Sequence, residues 1–295
     1  MEESPALKVL TTRCCACGRP LEPASAYKRL ELGEIESYVC CPMCLDALRA
    51  GLVQRKMIPE SFADKRVSVL VEYLPARQIG GDYVHIKDFG GVLHFLVLDV
   101  SGHGITSSLV MSRVSTLLDG LLEGGEAPPD VARRLNEWMR EHVGDVHLYA
   151  TMFHAVIDFR GSRLLYLSCG HATQLFWPHS RRGFLRLESQ TTPIGLFDEK
   201  TFQVPDPAEI EIHPGDRLVL FTDGLPDVEC PGEAPLGLDG VIRMLTEAGG
   251  EPTLESARGL IGYIQSLGQE ARSDDVLFVF AEVKPADRPA GNGSQ

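Results

Sequence analysis

Four acidic turns are the parts of this sequence that could do chemistry. Each adjoins a short apolar run of the kind that forms a buried strand, and together they are Gly80-Gly81-Asp82, Asp99-Val100-Ser101-Gly102, Thr222-Asp223-Gly224 and Ser273-Asp274-Asp275. A rigid strand end fixes a carboxylate at the rim of a sheet, where the turn leaves room for a ligand. Carboxylate oxygens that meet at one place bind hard divalent cations. The pattern therefore predicts a metal site built from strand ends.

A single hairpin would bring two of these carboxylates together. Residues 82–88 and 92–99 are predicted as neighbouring strands, so Asp82 and Asp99 would lie at the same end of one sheet. One acidic turn alone is more often a capped turn than a site. Its repetition at four strand ends favours a metal site over four unrelated turns.

A set of cysteines near the N-terminus is the second group of candidate ligands. Six of the eight cysteines lie within residues 14–44. Cys14 and Cys17, with Cys41 and Cys44, have the two CxxC spacings of a four-thiolate structural zinc site. The spacing predicts a small module that needs its metal in order to fold.

Two further cysteines leave the ligand set open. Cys15 and Cys40 are spare in the CxxC pattern, and the spacing does not decide which four of the six thiols bind. Simple packing and a redox-labile sensing role are alternatives for the spare pair, and disulfides are the alternative to zinc. Residues 27–39 alternate as a short hairpin that turns near Gly33, which favours a zinc-ribbon-like module.

The charge of the chain argues against several classes of partner. The 295 residues carry a net charge of −13, and residues 1–56 contribute 8 basic and 7 acidic side chains. The remainder is therefore strongly acidic and would repel nucleic acid and anionic membrane surfaces. A hydrophobic fraction of 44% is that of an ordinary globular protein, long enough for one large or two smaller domains.

The sequence also gives an expectation about location. No uninterrupted apolar run approaches the roughly 18 residues of a membrane span. The first residues lack the basic and apolar regions of a signal peptide. We therefore expect a cytoplasmic protein with no membrane partner, in which clustered cysteines indicate metal more than disulfides.

Hydrophobic periodicity places the candidate ligands on a regular series of elements. Helices are predicted at 46–57, 104–122, 128–142, 239–248 and 253–267. Strands are predicted at 67–74, 82–88, 92–99, 149–158, 163–169, 173–177, 184–187, 208–212, 216–222 and 276–283. The predicted helices follow one another in pairs between groups of strands, which indicates two sheets that are each covered by helices.

The order of the motifs resembles a known family. Beside the four acidic turns, the chain contains Tyr73-Leu74-Pro75-Ala76, Tyr149-Ala150-Thr151-Met152, Cys169-Gly170-His171 and Pro193-Ile194-Gly195-Leu196. From about residue 67 to residue 283 this series is similar to the sporulation stage II E type serine/threonine phosphatases. These are a branch of the metal-dependent protein phosphatases (PPM) that includes regulators of stress-response sigma factors.

The resemblance implies an α+β fold, a four-layer αββα sandwich of the PPM phosphatase type, here with a small N-terminal zinc-binding module. The expected domains are a zinc-ribbon-like module and connector at 1–56, a phosphatase domain at 57–284 and a disordered tail at 285–295. The implied activity is hydrolysis of phosphoserine or phosphothreonine on a regulatory protein by a water that two metal ions activate.

The resemblance also implies roles for individual residues. Asp99 would bridge two Mn²⁺ or Mg²⁺ ions, and Asp223 and Asp274 would complete the first. Asp82 and the backbone carbonyl of Val100 would serve the second. Asp275 is the reserve for Asp274, since an aspartate before a strand is also a common cap.

The general acid is left unknown. His103 invites that role, but it lies four positions after Asp99, whereas the wider family has its histidine two positions after the bridging aspartate. A structural role at the start of a helix is the alternative for His103. His171 is expected to be a turn residue or a core partner, and Cys169 and Cys230 are expected to pack.

By resemblance, the substrate is a phosphoprotein of the anti-sigma-factor antagonist type. Homodimerisation through the helices at 46–57 and 104–122 is left open. One rival interpretation is a catalytically weak phosphatase-fold scaffold, against which the complete set of aspartates argues. The other is a zinc-dependent adaptor, which would need a basic face to bind nucleic acid and lacks the charge for one.

Overall fold

The chain is organised as two compact units in the computed structural model, which describes residues 13–16, 19–32, 35–102, 104–246 and 250–285. One unit comprises Met1–Met57 together with Arg77–Ile79. The other comprises Ile58–Ala76 and Gly80–Gln295. The short segment Arg77–Ile79 thus belongs with the N-terminal unit, although the residues on both sides of it belong to the larger one.

The N-terminal unit consists of a hairpin and a helix. Strands β1 (Lys28–Leu32) and β2 (Ile35–Val39) pair antiparallel, which confirms the hairpin predicted from alternation. Its turn at 33–34, like Cys17, lies outside the described residues. Helix α1 (Pro42–Arg55) begins four residues earlier than predicted, because Pro42 occupies the first helical turn, where its missing N–H costs nothing.

The larger unit contains eleven described strands in two sheets. They are β3 (Phe62–Ala63), β4 (Val67–Leu74), β5 (Asp82–Phe89), β6 (Val92–Val100), β7 (Ala150–Asp158), β8 (Arg163–Cys169), β9 (Gln174–Trp177), β10 (Leu185–Leu187), β11 (Ala208–Glu211), β12 (Arg217–Phe221) and β13 (Val276–Val283). The order is β10-β9-β12-β13-β4-β3 in the six-stranded sheet and β11-β8-β7-β6-β5 in the five-stranded sheet.

Helices cover the outer face of each sheet. Helices α2 (Ile105–Glu123) and α3 (Pro128–Val143) pack on the five-stranded sheet, and α4 (Gly237–Leu245) and α5 (Leu254–Ser266) pack on the six-stranded sheet. The four layers confirm the αββα sandwich. None of the described helices combines the length and the apolarity that a membrane span needs.

The period of two in β13 explains how this architecture is built. Leu277 and Val279 belong to the apolar core between the two sheets. Phe278 and Phe280, which alternate with them, belong to the core under α4 and α5. Burying one such side chain contributes roughly 1.5–3 kcal/mol, so a strand that is apolar on both faces is stable only between two covered layers.

Candidate active site

Two carboxylates face each other at one end of the five-stranded sheet. Asp82 is the first residue of β5, and Asp99 is the penultimate residue of β6. The antiparallel register pairs them directly, as the predicted hairpin requires. Asp82 is only 2% exposed, whereas Asp99 is half-buried. Two acidic side chains are therefore held a strand spacing apart on rigid backbone.

The six-stranded sheet supplies the remaining carboxylates from two adjacent strands. Strand β12 ends at Phe221, immediately before Thr222 and Asp223, and Asp274 and Asp275 immediately precede β13. The buried Thr222 hydroxyl donates a hydrogen bond of 2.7 Å to Oδ2 of Asp82. This bond joins the two sheets at the place where the acidic turns meet. Together these carboxylates form what we term the carboxylate cluster, which consists of Asp82, Asp99, Asp223, Asp274 and Asp275.

Close backbone approaches explain the glycines of the motifs. A Cβ atom on Gly80 would lie 1.4 Å from Oδ2 of Asp275, and one on Gly224 would lie 2.0 Å from the Asp275 carbonyl oxygen. A Cβ atom on Gly81 would lie 2.5 Å from the carbonyl oxygen of Val100. Only glycine fits at these positions without displacing the Asp275 carboxylate or the backbone of Asp275 and Val100.

The carboxylates raise one another's pKa values. Burial, then the charges of Asp99 and Asp275, raises the pKa of Asp82 well above its usual value. Burial, then the charges of Asp223 and Asp274, raises the pKa of Asp99 to about 7. Loss of hydration and the charge of Asp274 raise the pKa of Asp223, although solvent reaches its side chain. The cluster therefore repels itself at neutral pH.

The cluster fits divalent cations such as Mn²⁺ and Mg²⁺. Its donors are carboxylate oxygens and a backbone carbonyl, and the strongest charged neighbours of Asp82 and Asp99 are other carboxylates. Among the described acidic residues, no three bring oxygens within 4.8 Å of one another. Divalent cations bound by these carboxylates would relieve the repulsion that raises their pKa values.

Asp274 and Asp275 have different surroundings. Asp275 is buried, and its Oδ1 accepts a hydrogen bond of 2.8 Å from the backbone N–H of Ala76. Its own backbone N–H donates to Oδ1 of Asp274, also at 2.8 Å. Asp275 is thus engaged in holding the segment before Gly80, whereas the half-buried Asp274 is the more open of the two.

Three polar residues behind the site were not predicted to position it. His171 donates from Nε2 to the Phe221 carbonyl oxygen at 3.2 Å, so its Nδ1 accepts from the Thr151 hydroxyl at 2.7 Å. Gln174 brackets Phe221, donating to its carbonyl oxygen at 2.9 Å and accepting from its N–H at 2.6 Å. These bonds fix the backbone that leads to Thr222. The motifs Cys169-Gly170-His171 and Tyr149-Ala150-Thr151-Met152 gave a sequence signal for two of them, whereas Gln174 lies in neither.

The other predicted site residues have varied outcomes. His103 lies outside the described residues. The backbone N–H of Val100 donates to the Gly81 carbonyl oxygen at 3.3 Å. Burial lowers the pKa of His171 to about 4, which confirms a neutral core partner. Burial raises the pKa of Cys169 to about 12, so this thiol packs and does not ionise.

The cysteines of the N-terminal unit are only partly grouped as the spacing predicts. The Sγ atoms of Cys14, Cys40 and Cys44 all lie within 4.8 Å of one another, and we term these three residues the thiol cluster. Cys41 is the N-cap residue of helix α1 without a side-chain cap bond, and its Sγ lies 3.8 Å from that of Cys40 and is hydrogen-bonded to Cys44. The structure thus brings Cys40 beside Cys14 and Cys44. The predicted ligand Cys17 lies outside the described residues.

Comparisons with known proteins agree with this geometry. The family model for Stage II sporulation protein E (SpoIIE) matches residues 90–284. Phosphoserine phosphatase RsbU of Bacillus subtilis (strain 168) is 30% identical over 160 residues, which are 54% of this chain and 46% of that protein. The chain thus spans about half the length of this relative.

Two solved structures share the fold. The SiaA-PP2C domain of Pseudomonas aeruginosa has a TM-score of 0.69 at 18% identity, over 82% of this chain and 97% of that domain. The catalytic domain of the serine/threonine protein phosphatase PstP in complex with two manganese ions has a TM-score of 0.52 at 17% identity, over 75% and 99%. From the family match and this shared fold, the chain belongs to the Stage II sporulation protein E (SpoIIE) family and carries a PP2C-type phosphatase domain.

Proposed function

We propose that this chain is a metal-dependent protein phosphatase that hydrolyses phosphoserine or phosphothreonine on a regulatory protein. The observation that carries the proposal is the carboxylate cluster, whose members come from both sheets and raise one another's pKa values. A fold does not itself imply an activity, and the argument therefore rests on the site. Similarity to a protein named as a phosphoserine phosphatase supports it.

In this proposal Asp99 would contribute ligands to both ions. Asp223 and Asp274 would complete the first ion's ligands, while Asp82 and the Val100 carbonyl would hold the second. Two Mn²⁺ or Mg²⁺ ions would supply an activated water and neutralise charge on the phosphoryl group. The preference for Asp274 over Asp275 is supported by the bond from the Ala76 N–H that already engages the Asp275 carboxylate.

The protein's own side chains orient these ligands. Thr222 donates to Asp82, which leaves the other carboxylate oxygen of Asp82 for an ion. Asp275 holds the segment that leads into Gly80 and Gly81. Neither Cys169, with its raised pKa, nor His171, with its lowered pKa, is placed to act as a nucleophile or an acid. In the proposed reaction, a water activated by the ions would attack the phosphoryl group directly.

The substrate and the partners are proposed at a coarser level. We expect a phosphorylated regulatory protein of the anti-sigma-factor antagonist type, in line with the similarity to RsbU. A Zn²⁺ ion in the N-terminal unit is part of the proposal and is supported by the thiol cluster. Homodimerisation and a cytoplasmic location stay predictions of the sequence.

The test is release of phosphate from a phosphoserine peptide by the purified chain with Mn²⁺, with Mg²⁺ and with a chelator. A phosphotyrosine peptide of the same sequence is the control for substrate class. We expect release that depends on the divalent ion and on phosphoserine. Absence of hydrolysis together with absence of Mn²⁺ binding by calorimetry would instead support the rival interpretation, a phosphatase-fold scaffold. Mn²⁺ binding without hydrolysis would indicate that a partner or signal is needed to assemble the site.

A further inference from the structure

The larger unit contains a cavity of about 390 Å³ that the phosphatase reaction does not use. We term it the basic cavity, because the residues that line it include Lys65, Arg66, Arg160, His213 and Lys284. We infer that the basic cavity binds a small organic phosphate, whose anionic group is held by Lys65 and Arg160. The inference goes beyond the proposed function and is independent of it, since none of the proposed metal ligands is among the described residues that line the cavity.

The strands separate the basic cavity from the carboxylate cluster. Arg66 immediately precedes β4, and Lys284 immediately follows β13. Gly91 and Arg160 lie in the turns that join β5 to β6 and β7 to β8. The aspartates of the cluster lie at the other ends of these strands, and a strand of eight residues such as β5 spans roughly 25 Å. A small ligand in the basic cavity therefore cannot contact the proposed catalytic ions.

Two of the basic side chains are available to an anion. Lys65 and Arg160 are exposed, and neither has an ion-pair partner among the described residues. The Arg160 side chain extends over the turn between β5 and β6, since a Cβ atom on Gly91 would lie 3.5 Å from its Nε. His213, by contrast, has its Nε2 3.7 Å from Oε1 of Glu211. An arginine and a lysine beside one cavity suit a phosphate, which accepts charge-assisted hydrogen bonds from both.

The neighbouring carboxylates are already engaged by the other two cations. Arg66 donates from Nε and Nη2 to Oδ2 of Asp64 at 3.0 and 2.6 Å, and it also pairs with Asp88. The backbone N–H of Arg66 donates to Oδ1 of Asp64 at 2.7 Å. Lys284 donates from Nζ to the carbonyl oxygen of Asp64 at 2.8 Å. The two carboxylates are thus balanced by two held cations, and the charges of the two exposed side chains remain for a ligand.

The basic cavity also has an apolar surface. Ile212 and Val283 line it and are buried, and Phe159 lines it while packing against the core between the two sheets. A phosphate ion alone would leave this surface in water, whereas an apolar group attached to the phosphate would cover it. The volume lies within the roughly 300–1,000 Å³ of small-molecule sites. The lining therefore favours an organic phosphate over the inorganic ion.

The first experiment measures binding of phenylphosphonate to the purified full chain by calorimetry. This probe has a carbon–phosphorus bond that a phosphatase does not hydrolyse. Without added Mn²⁺ or Mg²⁺, the charges of the carboxylate cluster repel it from the proposed active site. We expect a dissociation constant below about 1 mM. Methylphosphonate, which lacks the ring, should bind at least roughly tenfold more weakly.

Either of two results would overturn the inference at this stage. Absence of saturable phenylphosphonate binding would remove the site. Equally tight binding of phenylphosphonate and methylphosphonate would show that the apolar surface makes no contact with the ligand, and would remove the assigned ligand class.

The second experiment tests the two assigned cations. A Lys65→Ala, Arg160→Ala double variant should bind phenylphosphonate at least roughly tenfold more weakly, and both side chains are exposed, so the fold should be retained. Arg258→Ala is the matched control, because Arg258 is an exposed arginine on α5 that does not line the cavity. It should keep wild-type affinity. Wild-type affinity in the double variant, or an equal loss in Arg258→Ala, would overturn the assignment.

Hydrogen exchange with and without phenylphosphonate locates the bound probe. Peptides that cover residues 62–67 and 158–164 should exchange more slowly with the probe, and a peptide that covers residues 98–102 should not change. Slower exchange at 98–102 alone would place the probe at the carboxylate cluster and overturn the basic cavity as its site. Neither binding nor exchange requires hydrolysis, so these results stay separate from the outcome of the phosphatase test.

Discussion

The carboxylate cluster and the thiol cluster are held in place in different ways. Asp82 and Asp99 lie at the ends of paired strands whose sheet packs on a large apolar core. Cys14 and Cys44 lie on a turn and on the first turn of a helix, in a unit whose described residues include few buried apolar side chains. The first cluster is positioned by the fold. The proposed zinc at the second would help to create the fold that positions it.

This difference determines what each metal contributes. The folded phosphatase unit holds like charges together, and the proposed ions would relieve this repulsion. The thiol cluster has little apolar burial around it among the described residues, so the proposed zinc would contribute to the folding free energy itself. Removing metal should therefore affect function in one unit and structure in the other.

Removal of all metal from the intact chain should give the largest effect. We expect residues 19–57 to lose protection from hydrogen exchange, because structural zinc in thiolate modules contributes about 10–16 kcal/mol. Strands β4, β12 and β13 should keep their protection, since their core needs no ion. Exchange measured by mass spectrometry with and without chelator checks both parts. Equal loss of protection in both units would break the comparison.

Substitution of the central carboxylate should remove activity and spare the fold. Asp99→Asn is expected to lower Mn²⁺-dependent hydrolysis on the order of 10³-fold, or about 4 kcal/mol of transition-state stabilisation. Thermal unfolding without metal should occur at an equal or higher temperature, because the substitution removes one of the repelling charges that raise the pKa of Asp82.

The same substitution at a surface carboxylate provides the control. Asp130 lies in the first turn of α3 and pairs with Arg133 in solvent, so Asp130→Asn should keep wild-type activity. Activity in Asp99→Asn within tenfold of the wild type would remove Asp99 from the proposed mechanism. It would leave the fold and the family assignment unaffected.

The two clusters also differ in how far the sequence predicts them. The predicted hairpin of residues 82–88 and 92–99 places Asp82 opposite Asp99, and the structure has this register. The predicted strand 276–283 has the same bounds as β13. By contrast, CxxC spacing pairs Cys41 with Cys44, whereas the structure also brings Cys40 within 4.8 Å of Cys14 and Cys44, with its Sγ 3.8 Å from that of Cys41. Spacing along a chain determines a site well only where regular structure fixes the direction of each side chain.

Residues that position the carboxylates were harder to predict for a related reason. Gln174 contacts Phe221 across a strand pair, and Thr222 contacts Asp82 across two sheets. Such partners are 47 and 140 residues apart in sequence. Nothing in a single sequence marks which polar residue will meet which backbone group.

A buried pair of histidines in the phosphatase unit sharpens the comparison. His94 and His154 lie on β6 and β7, with Nδ1 of His94 3.1 Å from Nε2 of His154. Burial, then the charge of His85, lowers the pKa of His94 to about 4, and burial, then the charge of His94, lowers that of His154 well below its usual value. While both rings are neutral, one hydrogen bond joins His94 and His154. The nearby carboxylate of Asp119, on α2, pairs with His85.

Acidification should therefore destabilise the phosphatase unit. A histidine whose folded pKa is below its unfolded value of about 6.5 contributes stability that is complete above pH 6.5 and is lost as the pH falls toward 4. For His94 this amounts to about 3 kcal/mol. Urea unfolding of wild type and of a His94→Phe, His154→Leu double variant at pH 7 and pH 4 checks it. The exposed His213→Gln should retain the wild-type slope.

The smallest effect is expected at Thr222, which positions a ligand without binding the ion. Its hydroxyl donates to Asp82 at 2.7 Å and accepts from the Leu277 N–H at 3.0 Å. Thr222→Val keeps the shape and removes both bonds, so Mn²⁺ affinity should fall by about 10–100-fold, as it does when such supporting bonds to a ligand are lost. Calorimetric titration with Mn²⁺ measures this directly.

Thr222→Ser is the matched control, because it keeps the hydroxyl and loses only a methyl group. It should bind Mn²⁺ within a few-fold of the wild type and keep activity at saturating metal. Equal loss of affinity in Thr222→Ser and Thr222→Val would mean that packing around the methyl group, and not the bond to Asp82, orients the ligand. The carboxylate cluster would then depend on side-chain packing at this position, and strand-end geometry alone would not account for its order.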